Sequence, residues 1–173
     1  MKKILLINFF LFFSLTNIIL AENNISYIDM AKVISTSKPG SSIGVQLTKL
    51  NDKNLEYIKN EEKTLKDKEK KIITQKNLLS EEEFRSKIDE LKLEIISYNK
   101  EKNKIIKNFN QLKIDNTNKL LQLITPILAK YADKKSISMI LQKKNLIIGK
   151  TELDITDEII IIINKEIDEF KIK

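Results

Sequence analysis

The chain has 173 residues, 32% of them charged, with 31 basic against 24 acidic side chains and a formal charge of +7. It contains no Cys and no His, which removes disulfides, a thiol nucleophile, the commonest general base and most zinc ligation. No catalytic residue, metal site or cofactor is expected, and the length suits one domain rather than several.

Lys2 and Lys3 precede an apolar run, Ile4 to Leu20, broken by Asn8, Ser14, Thr16 and Asn17. Residues 1–21 therefore read as a signal peptide with the cut near Ala21. The competing reading is an uncleaved anchor, which the polar residues weaken. Export to a periplasm is expected. Residues 22–40 then form the first part of a base. Ile25-Ser26-Tyr27-Ile28-Asp29 is a strand candidate, Asp29 suits the cap of a short helix over Met30 to Ser35, and Ser37-Lys38-Pro39-Gly40 is expected to be a turn.

Residues 41–119 read as two charged helices folded back on each other. From Phe84 a seam steps by four and three through Ile88, Leu91, Ile95, Tyr98, Lys102, Ile105, Phe109, Leu112, Asn116, Lys119 and Leu123, the period of a helix packing on helices. The preceding arm is thinner, with Leu55 and then Ile58, Leu65, Ile72 and Leu79 at intervals of seven. Ser80 with Glu83 forms a capping box, so a new helix starts there, and Asn77 suits a left-handed residue ending the first. No Pro interrupts either arm. Arms of equal length, roughly 60 Å each, return the chain to where it left. So little of the first arm is apolar that the tips are expected to flex.

Residues 120–173 form the rest of the base. The second arm runs into Leu120, Leu121, Leu123, Ile124, Ile127, Leu128 and Tyr131, with a kink expected at Pro126. Ile137 to Leu141 and Leu146 to Ile148 read as a β-hairpin joined by Gln142-Lys143-Lys144-Asn145. Thr156 is expected to cap a last helix with Asp157 and Glu158 in its first turn. The five isoleucines from Ile159 have strand propensity. Ile159, Ile160, Ile163, Ile167 and Phe170 nevertheless follow helical spacing, and a helix through Phe170 is predicted.

These pieces stand in a recognisable order. Ile25-Ser26-Tyr27-Ile28-Asp29-Met30 precedes Val33 and the Ser37 to Gly40 stretch, and a charged hairpin turns at Leu79-Ser80-Glu81-Glu82. Pro126-Ile127, Ala129-Lys130-Tyr131-Ala132 and Ile140-Leu141-Gln142-Lys143 lead to Leu153-Asp154-Ile155-Thr156-Asp157-Glu158-Ile159, the most specific piece. The sequence resembles the Skp (OmpH) family of periplasmic chaperones over essentially its whole mature length. It departs from the family pattern at Pro39, where Ala is frequent, and at Ser136-Ile137-Ser138, where Gly-Tyr-Asp is usual.

The resemblance implies an α+β fold: a long antiparallel helical hairpin on a small β-strand base that trimerises, with a C-terminal helix. It also implies a homotrimer that holds unfolded outer-membrane proteins in a cavity between its tentacles without ATP. Elementary physics points the same way, since so few short strands leave open edges that several copies could close. Ile25, Tyr27, Ile137, Met139 and Leu141 are the candidates for the trimer base. Leu55, Ile58, Leu65 and Ile73 are the candidates for client contact, where many weak contacts would hold a client without trapping it.

The hairpin carries 18 basic and 14 acidic residues, and a basic surface suits acidic partners, among them anionic lipid or lipopolysaccharide. An equal explanation is a genome rich in Lys, Ile and Asn codons. Nucleic acid is not an expected partner of an exported chain with interspersed acids. Two other readings compete with the chaperone: a coiled-coil spacer of the cell envelope, and a membrane-surface adaptor bound through its lysines.

Overall fold

The computed structural model describes residues 24–172, so the expected signal peptide lies outside the described residues. The chain is α+β. Strand β1 (Asn24–Ile28) leads into helix α1 (Met30–Thr36), whose N-cap Asp29 accepts from the Lys32 N–H at 2.9 Å. Ser37 then serves two helices. Its N–H donates to the Val33 carbonyl at 3.1 Å, closing α1, and its Oγ accepts from the Gly40 N–H to open helix α2 (Lys38–Thr74). The expected turn is thus only the single residue Ser37. Pro39 lies in the first turn of α2, where a missing N–H costs nothing and a fixed φ helps.

α2 has 37 residues and helix α3 (Glu81–Lys135) has 55, about 55 and 80 Å at the helical rise. They form the predicted hairpin. A single 3-10 turn over Lys76–Leu78 joins them, and the Ser80–Glu83 capping box is complete, with both the Ser80 N–H and its hydroxyl on Glu83 Oε2. Asn77 is not left-handed. α2 instead ends at Gln75 in the right-handed region and Leu79 is extended, so the turn needs no positive φ.

The seam holds with two phase changes. Phe84, Ile88, Leu91, Tyr98, Lys102, Ile105, Phe109 and Leu112 are buried or half-buried along it, and the Tyr98 hydroxyl reaches the Ile58 carbonyl across the arms. Ile95 is exposed while Glu94 turns inward to meet Lys68 at 2.7 Å, an ion pair between the arms. Near the base the buried positions become Asn116, Leu120, Ile124, Ile127 and Tyr131, and Lys119 and Leu123 face out. Steps of four, four, three and four follow the 3.6 period of a straight helix, so the 3.5 register drifts off the seam where a globular core replaces a two-helix contact. α3 is continuous through Pro126.

The hairpin serves as the crossover between two parallel strands. β2 (Ile137–Gln142) follows Ser136, which takes the left-handed conformation at φ 54, and pairs in parallel with β1, Ile25 beside Met139 and Tyr27 beside Leu141. The predicted β-hairpin of Ile137–Leu141 with Leu146–Ile148 is absent. A two-residue hairpin turn wants positive φ, whereas Lys143–Asn145 forms a 3-10 turn that leads the chain away from β2. Lys143 is meanwhile held by Asp154 at 2.8 Å. On its other side, among the described residues, β1 has only an isolated bridge from Asp154 to Tyr27.

Helix α4 (Thr156–Glu166) contains the isoleucine run and buries Ile159 and Ile163 against Val33, Ile43, Leu120 and Ile124. Thr156 is inside the helix rather than its cap. Its hydroxyl bonds Asp154 and accepts from the Asp29 N–H, and Asp154 Oδ1 takes the Thr156 N–H at 3.0 Å. α4 stops at Glu166, short of Phe170. Ile167, Phe170 and Ile172 still pack on the core, but from a non-helical tail lying beside α2.

Candidate functional site

The base buries a core but leaves bare a set of apolar side chains, here termed the rim. Ile25 and Met139, neighbours in the parallel pair, are both exposed, Met139 by 52%. Beyond them the loop after β2 presents Ile147 and Ile148, 105% and 90% exposed. An open groove of about 780 Å³ runs beside β2, lined by Met30, Ile34, Leu121, Leu128 and Met139 among others. Among the described residues β2 has no strand on its outer edge. Unpaired strand edges and exposed isoleucines both favour association in general, because each isoleucine withdrawn from water contributes ~1.5–3 kcal/mol.

The five base candidates therefore divide. Ile25 and Met139 stand on the rim. Tyr27 is buried within the chain itself: Gly149 lies so near its ring that a Cβ there would meet Cε1 at 2.8 Å, and the Lys143 ammonium stands 5.7 Å from the ring centre. Leu141 is half-buried, and Ile137 packs on the core. The isoleucines at 147 and 148 carry the rim's largest exposure. Their signal in the sequence was the apolar triplet Leu146-Ile147-Ile148, read as a strand, whereas in the structure these residues stand in a loop without strand pairing.

One cluster fixes the rim to the core. Burial by itself raises the Asp154 carboxyl, but hydrogen bonds from Lys143 and from the Thr156 hydroxyl and N–H outweigh it and hold the carboxyl below its ordinary range. Through that carboxylate, β1, α4 and the loop after β2 share one anchor. Deeper in the base the Tyr131 hydroxyl donates to Glu158 at 2.5 Å, and burial with that bond pushes its pKa up to about 12.

Along the arms, Leu55 and Ile73 are exposed by 55% and 58%, whereas Ile58 and Leu65 are half-buried in the seam. Only the first two offer open apolar surface. The return arm adds Leu93, Ile96, Ile106 and Ile114, all exposed and all off the heptad seam, which is the signal that would have found them. Beyond Leu47 nothing on the outgoing arm is buried, and between Glu81 and Asp115 only Leu91 is. Apolar patches thus alternate with lysines and carboxylates for the length of the hairpin. Ion pairs such as Lys66–Glu62 and Lys92–Asp89 are solvent-exposed and add little rigidity. Among the described residues no helix is long and apolar enough to cross a membrane.

A long helical hairpin on a small base of parallel strands and helices, with a bare apolar rim, defines the architectural class. The family described as outer membrane protein (OmpH-like) matches residues 24–162, and the chain belongs to that family, one of periplasmic chaperones. Its fold is similar to the crystal structure of a candidate outer membrane chaperone (OmpH-like) from Caulobacter crescentus CB15. That likeness has a TM-score of 0.79 at 11% identity and covers 87% of this chain and 89% of that one. No curated protein matches the sequence.

Proposed function

We propose that three copies of this chain join through their base rims in the periplasm and hold unfolded outer-membrane proteins between their hairpins, without ATP. The bare rim carries the reading. A lone chain leaves Ile25, Met139, Ile147 and Ile148 in water beside an unpaired strand edge. In a ring, Leu146–Ile148 of each copy would lie against the β2 edge of the next, a head-to-tail contact that closes on rotation. That arrangement gives the apolar triplet the strand neighbour it lacks within one chain.

Joined at the base, the hairpins would surround a space lined by scattered apolar side chains and lysines. Contacts of that kind are individually weak and collectively retentive, which suits holding a chain that must later be released. Lysines on the arms would attract acidic segments, or anionic lipid and lipopolysaccharide at the membrane surface. The test dilutes a urea-unfolded outer-membrane barrel into buffer with the mature chain and no nucleotide, and follows light scattering. Suppressed scattering is expected at a few chains per barrel. Unchanged scattering at large excess contradicts the reading.

A further inference from the structure

The tail after α4 is held in an unusual way. The Gln46 side chain donates from Nε2 to the Phe170 carbonyl at 2.5 Å and accepts at Oε1 from the Ile172 N–H at 3.3 Å, while the Ser42 hydroxyl donates to the same carbonyl at 3.1 Å. A residue in a parallel ladder bonds its partner in the same manner, taking the carbonyl before and the N–H after the residue opposite. One side-chain amide therefore imitates a residue of a parallel strand and reads the tail through its main chain. Phe170 and Ile172 pack on the core and the intervening Lys171 is exposed, the two-residue alternation of a strand. Phe170 also lies under the Lys119 ammonium, 5.5 Å from its ring centre, so the tail touches both arms at the hairpin root. A cleft of about 600 Å³ continues from it past Thr36, Ser41, Val45 and Asn164. The whole segment lies beyond residues 24–162, the part shared with the family.

We propose that this root groove is a binding site for an extended polypeptide with apolar side chains at alternate positions, and that Ile167–Ile172 is its built-in competitor. Resting on the chaperone reading, the external ligand is a strand of an unfolded membrane barrel, which alternates apolar and polar residues in the same way. Main-chain recognition tolerates many sequences, and side-chain pockets at alternate positions select the pattern. A tethered tail competes at a high effective concentration, so only a client already held by the arms would displace it.

The test releases the tail in two ways, by truncation after Glu166 and by Phe170→Ser in the full chain, with folding checked by circular dichroism. The probe is a labelled synthetic peptide of Ile167–Ile172. Both released forms are expected to bind it about tenfold more tightly than the intact chain, and methylating the Ile172 amide nitrogen or adding Gln46→Ala should abolish that gain. Equal binding by folded released and intact chains, or indifference to N-methylation, overturns the groove. Should both released forms unfold, Gln46→Ala alone in the intact chain is read by hydrogen exchange at Phe170 to Ile172: faster exchange supports the clasp, and unchanged exchange overturns it. Released forms should also hold an unfolded barrel more tightly. Peptide binding without that gain overturns the client assignment. If the intact chain fails to prevent aggregation, the chaperone reading falls, and the peptide arms still decide the groove.

Discussion

Gly40 faces the carbonyl of Ile34 so closely that a Cβ at position 40 would stand 1.8 Å from that oxygen. The missing Cβ thus lets α1 and α2 approach closely where they join. Gly44, one turn further along the same helix, has open space around it. Substitution by Ala should therefore have opposite signs at the two positions. Gly44→Ala should stabilise by up to ~1 kcal/mol through helix propensity. Gly40→Ala should destabilise by about 3 kcal/mol or more, since a backbone oxygen cannot move aside as a side chain can. Urea denaturation of the two variants checks this.

Ser136 ends α3 in the left-handed region, at a position where Gly carries no steric cost. Ser136→Gly is expected to stabilise the chain by about 0.5–1 kcal/mol, unlike the usual Gly penalty, and thermal unfolding measures it.

The Asp154 carboxyl is held below its unfolded value of 3.8, so the stability it contributes is present above that pH and lost as pH falls through the folded value. Asp154→Asn keeps an oxygen for Thr156 but removes the charge that Lys143 meets. The variant should be less stable than the parent at neutral pH, and the difference should shrink in acid. A gap that stays constant down to low pH would show that the charge contributes nothing.

Steering and retention should separate on the arms. Replacing several exposed hairpin lysines with Gln should lower the on-rate for an unfolded barrel, most of all at low salt. Replacing Leu55 and Ile73 with Ser should instead raise the off-rate. Stopped-flow binding distinguishes them. An on-rate indifferent to salt and to lysine number would reduce the basic excess to codon composition.

The hairpin was legible because its cause is local: a capping box at Ser80 and a seam that repeats every few residues survive any tertiary context. Ile159 to Ile163 was legible for the same reason, since Ile167 and Phe170 extended a helical spacing, even though the helix stops before both. Pairings made across the whole hairpin left no local mark. Nothing near Ile137 says that β2 lies parallel to β1 rather than folding back on Leu146–Ile148, and nothing near Gln46 says that its amide will bind the tail. Thr156 misled because Ser and Thr before acidic residues are common caps, whereas here the hydroxyl is taken by Asp29 and Asp154. The rim was half legible. Ile25 and Met139 followed strand alternation, but the same alternation marked Tyr27, which Gly149 and Lys143 already cover.

Native mass measurement addresses assembly through the rim and retention of a client inside it at once. The chain lacking residues 1–21 is measured alone and after mixing with a urea-unfolded outer-membrane barrel. The expected masses are three chains alone and three chains plus one barrel, with the trimer lost on changing Ile147 and Ile148 together to Ser. A single-chain mass under both conditions, or a trimer that never gains a barrel, would contradict it.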